Sequence, residues 1–254
     1  MLLWPAVRFS FQSAAPRASR RLPQRSPLPT TKTIEVGAEY AFARMGGDFY
    51  EFLEVSPSRL AFALFDFAGK GDAALEIAAA VQDVFRAQVP RLFAADHSND
   101  NDGMAELALL LNRAILSAAG GVHYSPAFIG CLNQLVGTIS YCNAGHTPGL
   151  LKHDSAVDLL SANALPLGLF SHATYEPEVR VLQPRASLLL VSRGLVESKS
   201  RGQEFGVERL REAVQTMQPP DAPALCRQVL ERVEDFTRSP LLHDDVTAIA
   251  LRRK

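Results

Sequence analysis

Residues 60–67 read Leu-Ala-Phe-Ala-Leu-Phe-Asp-Phe, apolar at every position but one. A run this apolar has no polar face to offer water, and it is too short for a typical helix. It therefore reads as a central strand covered on both faces. It is also far too short to span a bilayer, as are Leu107–Leu111 and Leu188–Val191. The exception, Asp66, closes the run and is followed by Phe67-Ala68-Gly69-Lys70-Gly71. A carboxylate at the end of a buried strand is costly unless something pairs with it, which makes Asp66 the first candidate functional residue.

The segments around this strand set its company. Ile34, Val36, Ala38, Tyr40 and Phe42 alternate with Glu35, Gly37 and Glu39, the period of a half-buried strand. Tyr50–Val55 is a further strand, joined to Leu60–Phe67 through Ser56-Pro57-Ser58-Arg59. Helices are predicted over Asp72–Phe93 and over Met104–Ala118, the second capped by Asp102. Strands follow at Ala127–Leu135, Thr138–Asn143, Gly149–Lys152, Val157–Leu160, Glu178–Leu182 and Ser187–Ser192. Helices at Glu208–Thr216 and Ala222–Thr237 precede a last strand at Asp245–Leu251. Strands come in hairpin-like succession and helices in pairs, unlike the strict alternation of a doubly wound parallel sheet. The expected class is α+β, with antiparallel sheets and helices layered outside them.

Charge divides the 254 residues. Arg8, Arg17, Arg20, Arg21, Arg25 and Lys32 precede the first acid, Glu35, and leave 20 basic against 27 acidic residues in the remainder. The same stretch holds Pro5, Pro16, Pro23, Pro27 and Pro29. Such a segment buries too little apolar surface to offset its ordering entropy. Residues 1–33 are expected to be a disordered basic arm, compositionally akin to a transit peptide as well, and 34–254 one folded domain. A net charge of −1 argues against a globally basic nucleic-acid binder. Cys131, Cys142 and Cys226 form neither a disulfide framework nor a zinc motif, so a reducing, cytoplasmic setting is expected.

Acids recur at strand ends beside glycines: Gly46-Gly47-Asp48, Asp66, and His243-Asp244-Asp245 before the last strand. If they converge, they need a cation, and hard oxygen ligands suit Mn²⁺ or Mg²⁺. If they do not, each caps its own turn. A nucleotide-binding P-loop at Ala68-Gly69-Lys70-Gly71 is excluded by Leu64 and Gly71, where that motif needs Gly and Ser or Thr.

Gly46-Gly47-Asp48-Phe49-Tyr50-Glu51-Phe52, Asp66-Phe67-Ala68-Gly69-Lys70-Gly71, Tyr141-Cys142-Asn143-Ala144-Gly145-His146-Thr147-Pro148, Leu165-Pro166-Leu167-Gly168-Leu169, Phe205-Gly206-Val207-Glu208-Arg209-Leu210 and Asp244-Asp245-Val246-Thr247 stand in this order. The set resembles the motifs of the stage II sporulation protein E family, the SpoIIE/RsbU-like branch of the PPM (type 2C) metal-dependent serine/threonine phosphatases. The resemblance implies a PPM-type α-β-β-α sandwich of two packed antiparallel sheets. It implies hydrolysis of phosphoserine or phosphothreonine by a metal-activated water, on a regulatory partner of the anti-sigma antagonist kind, in bacterial partner switching. By the same resemblance Asp48, Asp66 and Asp244 are catalytic residues, and Asp48, Asp66, the Phe67 carbonyl, Asp244 and Asp245 hold Mn²⁺ or Mg²⁺, two ions in the family. Asn143 and His146 are expected to shape a loop. His97, His123, His153, His172 and His243 receive no role. Neither nucleic acid nor a membrane span is expected, and control through a partner or through a homodimer is.

One departure bears on the chemistry. Where the family has Thr-Asp-Gly, this chain has Ser192-Arg193-Gly194. Arginine cannot lose its proton or coordinate a cation. Either Arg193 turns out to solvent and one ion still binds, or its guanidinium replaces part of the missing ion's charge and contacts phosphate directly. The alternative function is then a pseudophosphatase, a scaffold for a phosphorylated partner. Glu51, where the family commonly has Asp, is a smaller departure of the same charge, and Phe65 and Asp72 depart from the family around the loop that follows Asp66.

Overall fold

The computed structural model describes residues 26–41, 47–67, 72–94, 99–118, 124–238 and 244–254. Two five-stranded sheets carry the fold. One has the order β1-β12-β9-β6-β7 and the other β2-β3-β4-β5-β8. The first contains β1 (Ile34–Ala41), β6 (Gly149–His153), β7 (Ala156–Leu160), β9 (Ser187–Val191) and β12 (Val246–Arg253). The second contains β2 (Asp48–Ser56), β3 (Arg59–Asp66), β4 (Ala127–Asn133), β5 (Thr138–Ala144) and β8 (Glu178–Val181). Every pairing within them is antiparallel. Helices α1 (Asp72–Phe93) and α2 (Asp100–Ala118) cover the second sheet. Helices α4 (Gly206–Thr216) and α5 (Ala222–Thr237) cover the first.

The period of two in each strand explains the layers. In β3, Leu60, Phe62 and Leu64 point between the sheets, while Ala61, Ala63 and Phe65 point at α1 and α2. In β9 and β12, Leu188, Leu190, Ile249 and Leu251 fill the space between the sheets. Leu189, Val191, Ala248 and Ala250 face α4 and α5. A strand buried on both faces must be apolar at every position, as the sequence of β3 required. The expected α-β-β-α sandwich is the observed fold. The three cysteines are buried free thiols, and no helix among the described residues is long and apolar enough to cross a membrane.

Three local features differ from the sequence expectation. Helix α2 starts at Asp100 rather than Met104, because the Asn99 side chain accepts from the Asn101 N–H at 3.1 Å and caps the first turn in place of Asp102. A one-turn helix α3 (Arg193–Val196) and a short hairpin, β10 (Lys199–Ser200) with β11 (Gln203–Glu204), follow β9. Residues 26–33, assigned to the arm, are docked on the domain. Ser26 both donates to the Phe52 carbonyl at 3.0 Å and accepts from the Phe52 N–H at 2.9 Å, satisfying backbone groups that edge strand β2 leaves open. The Lys254 N–H donates to the Thr33 carbonyl at 2.9 Å. Residues 1–25 of the expected arm lie outside the described residues.

Candidate metal and phosphate site

Antiparallel pairing brings the start of one strand beside the end of the next. Asp48, first in β2, is the cross-strand partner of Asp66, last in β3. In the facing sheet, the end of β9 lies beside the start of β12, with Val191 opposite Ala248. All four strand ends fall at the same rim of the sandwich. The Thr247 hydroxyl of β12 donates to Asp48 Oδ2 at 3.1 Å, and the Ser192 side chain also hydrogen-bonds Asp48, so one carboxylate ties the two sheets together.

Two glycines make this convergence possible. A Cβ at Gly47 would overlap the Phe67 carbonyl oxygen, and one at Gly194 would overlap the Asp245 carbonyl oxygen. Only glycine lets the backbone approach a neighbouring strand end so closely.

The rim carries like charges that nothing among the described residues fully neutralises. Burial, then the neighbouring Asp66 and Asp245, push the Asp48 carboxyl well above the usual carboxylate range, against the hydrogen bonds from Ser192 and Thr247. Burial also raises Asp66, and Asp244 adds to the rise; Arg193 opposes it. These carboxylates therefore repel one another in a poorly solvated place, the condition that a divalent cation relieves. The donor set fits such an ion in charge and in oxygen chemistry. Among the described residues, no three His, Cys, Asp or Glu side chains group tightly enough to hold one. Arg193 stands next to the acids instead.

Arg193 does not turn away. Its Nε lies 3.5 Å from Asp66 Oδ2 and 3.9 Å from Glu197 Oε1, and its backbone N–H, at the start of α3, also supports Asp66. Part of the guanidinium reaches solvent, the side chain being 43% exposed, but Nε is buried and lacks a hydrogen-bond partner among the described residues. Asp66 is the main cause that holds its pKa above the ordinary arginine value. A cleft of about 290 Å³ opens here, lined by Asp66, Pro126, Gly145, His146, Thr147, Arg193, Val196 and Glu197.

Other residues that the sequence singled out sort differently. Glu51, buried at 1% exposure, points away from the rim toward α1, where it accepts from Gln82 and, at 3.1 Å, from both Nε and Nη2 of Arg86. Its parity in β2 is opposite to that of Asp48. Phe65 and Phe67 stack with Phe49 at centroid distances of 4.6 and 5.5 Å, within the core shared with α1 and α2. Asn143 is a loop hub. Its side chain donates to the carbonyls of Thr147 and Leu160 and accepts from the His146 N–H. His146 is itself part of the cleft wall, which the motif alone did not indicate. The roles of Ser192 and Thr247 as donors to Asp48, and of Thr147 in the cleft wall, were also missed, although all three stand inside the motif segments. Ala68–Gly71, Gly46 and His243 lie outside the described residues, as do His97 and His123.

Comparisons with known proteins agree with this architecture. Residues 56–254 match the family model for stage II sporulation protein E (SpoIIE). The chain is 25% identical over 235 residues to the phosphoserine phosphatase RsbU of Bacillus subtilis (strain 168), covering 89% of this chain and 65% of that protein. The chain thus spans somewhat less than two thirds of that relative's length. The PP2C phosphatase domain of the cell fate determinant SpoIIE from Bacillus subtilis, solved with a fragment of its regulatory domain, has a TM-score of 0.73 at 19% identity. It covers 92% of this chain and 69% of that one. The catalytic domain of the serine/threonine protein phosphatase PstP, solved in complex with 2 manganese ions, has a TM-score of 0.62 at 15% identity. It covers 87% of this chain and 98% of that one. With the family model matched over most of its length and the sandwich shared, this chain belongs to the stage II sporulation protein E family, in the SpoIIE/RsbU-like branch of the PPM-type phosphatases.

Proposed function

We propose that the protein is a metal-dependent serine/threonine phosphatase that removes phosphate from phosphoserine or phosphothreonine on a regulatory partner protein of the anti-sigma antagonist kind. The observation that carries the reading is the meeting of mutually repelling carboxylates at one rim, with half-buried Asp48 opposite buried Asp66. The name of the similar phosphoserine phosphatase and the two manganese ions of a structural neighbour support it. Asp48, Asp66, Asp244, Asp245 and the Phe67 carbonyl would hold Mn²⁺ or Mg²⁺. When bound, the ion supplies an acidified water and offsets charge on the phosphoryl oxygens. The chain's own residues orient the rest. Ser192 and Thr247 fix Asp48, the start of α3 fixes Asp66, and the Arg193 guanidinium presents a planar fork that matches phosphate oxygens. The setting proposed is the cytoplasm, with neither nucleic acid nor a membrane as partner, and control through a partner or a second copy of the chain.

A second reading is a pseudophosphatase that binds a phosphorylated partner without hydrolysing it. The 3.5 Å approach of Arg193 to Asp66 favours it, because the cation already beside that acid cannot ligate and acidify a water. Mn²⁺-dependent hydrolysis of a phosphoserine peptide separates the two. Turnover in the wild type that vanishes in Asp66→Asn supports the enzyme. Silence in the wild type with turnover in Arg193→Asp supports the binding module. Absence of turnover and of Mn²⁺ binding in both forms would remove the metal argument.

A further inference from the structure

The wall of the cleft carries a buried acceptor that nothing in the described chain uses. The Thr147 hydroxyl has one hydrogen and gives it to the Val191 carbonyl. His146 Nδ1 lies 3.0 Å from that hydroxyl oxygen and 3.2 Å from the Thr147 carbonyl, both of them acceptors. The ring hydrogen therefore sits on Nδ1, and Nε2 keeps its lone pair. His146 is 5% exposed, and Nε2 has no hydrogen-bond partner among the described residues. Burial holds the ring neutral, with a pKa lowered to about 4. A buried acceptor left unmade costs the fold its full desolvation penalty, so a ligand that donates to it is favoured.

The same cleft holds Arg193 for an anion, while Asp66 and Glu197 face it with like charge. Any dianion meets the same repulsion from the two carboxylates, and one without a proton also offers His146 only another acceptor. An oxyanion that still carries a proton binds the guanidinium through its unprotonated oxygens and donates its own hydrogen to the imidazole. We propose that His146 Nε2 is a positioning and specificity group that accepts the P–OH of hydrogen phosphate, so that the cleft takes free inorganic phosphate in preference to an unprotonated oxyanion. This rests on the reading of Arg193 as the phosphate-binding group. The dianion of a phosphoserine ester has no P–OH, and the phosphate released by its hydrolysis has one. The acceptor thus makes the cleft a site of product retention.

The test is calorimetric binding of three probes to the full chain in metal-free buffer at about pH 8, above the second phosphate pKa. Inorganic phosphate is then a dianion with one hydrogen, sulfate is a dianion with none, and O-phosphoserine carries an ester phosphate with none. The expected result is phosphate binding about tenfold tighter than sulfate, the effect of one hydrogen bond to a charged ligand, with O-phosphoserine close to sulfate. His146→Asn keeps a donor where Nδ1 stands and removes the acceptor, so the phosphate preference should disappear. His146→Gln restores an acceptor near Nε2 and should recover part of the preference. Equal affinity for phosphate and sulfate in the wild type, or a preference that His146→Asn leaves intact, overturns the role of His146 alone. O-phosphoserine binding as tightly as phosphate does the same. Failure of every anion to bind overturns the reading of Arg193 and this proposal with it.

Discussion

Replacing Arg193 with Asp converts the cation beside Asp66 into a further acid at the rim. At 3.5 Å the existing pair is worth about 5 kcal/mol at an effective dielectric of 20 and about 1 kcal/mol in bulk water. The Arg193 side chain is 43% exposed, so solvent screening places the value near the lower end, about 1–2 kcal/mol. Reversing the sign replaces this attraction with a comparable repulsion, a total of about 2–4 kcal/mol lost without metal. For a chain of this size that lowers Tm by about 4–16 °C. The same charge change favours a dication, so Mn²⁺ should recover the loss. The assay is thermal unfolding of wild type and R193D with chelator and across a Mn²⁺ titration. The expected outcome is a variant less stable than wild type in chelator and at least as stable in saturating Mn²⁺, with its Mn²⁺ Kd at least tenfold lower. A variant as stable as wild type in chelator, with unchanged Mn²⁺ affinity, would refute the claim that Arg193 stands where a second cation would act.

Further predictions follow from the same geometry. Asp66→Asn should reduce Mn²⁺ affinity by tenfold or more, because an amide brings no charge to a dication, and isothermal calorimetry reports it. Gly194→Ala forces the start of α3 away from the Asp245 carbonyl and should cost about 1–3 kcal/mol in urea unfolding, with loss of Mn²⁺ binding. Glu51→Ala removes the buried carboxylate that accepts from Arg86 and Gln82 and should cost about 3 kcal/mol while leaving Mn²⁺ affinity intact, because that acid faces α1. His146 has a folded pKa of about 4 against an ordinary 6.5, so the unfolded chain binds the extra proton. Stability from this residue is complete above pH ~6.5 and is lost as pH falls toward 4, by about 3 kcal/mol in all. The difference between wild type and His146→Asn in urea unfolding should shrink over that interval, and a pH-independent difference would contradict the neutral buried ring.

The layered fold was legible because burial on two faces leaves a direct mark. Leu60–Phe65 are apolar at every step, and the observed strand is buried throughout. The long helices and most strand limits were legible for the same periodic reason. Short elements were not. Helix α3 has four residues and no apolar period of its own, and the β10–β11 hairpin has two residues per strand. The docking of Ser26 was hidden because it depends on which strand is left at a sheet edge, a property of strand order rather than of the arm's composition.

The site shows the same division. The chain alone marked Asp48, Asp66 and Asp244 as acids at strand ends, since residue type and local pattern are written in one dimension, and only the family resemblance marked Arg193 as a cation where an acid is usual. Convergence was not written there. Asp48 reaches Thr247 across 199 residues because antiparallel order and two stacked sheets put four strand ends at one rim. The direction of Arg193, the turning of Glu51 toward α1 and the His146 nitrogen left without a partner among the described residues were likewise decided only by packing. A side chain's partner depends on what the rest of the chain places within a few ångströms of it, and no local pattern carries that information.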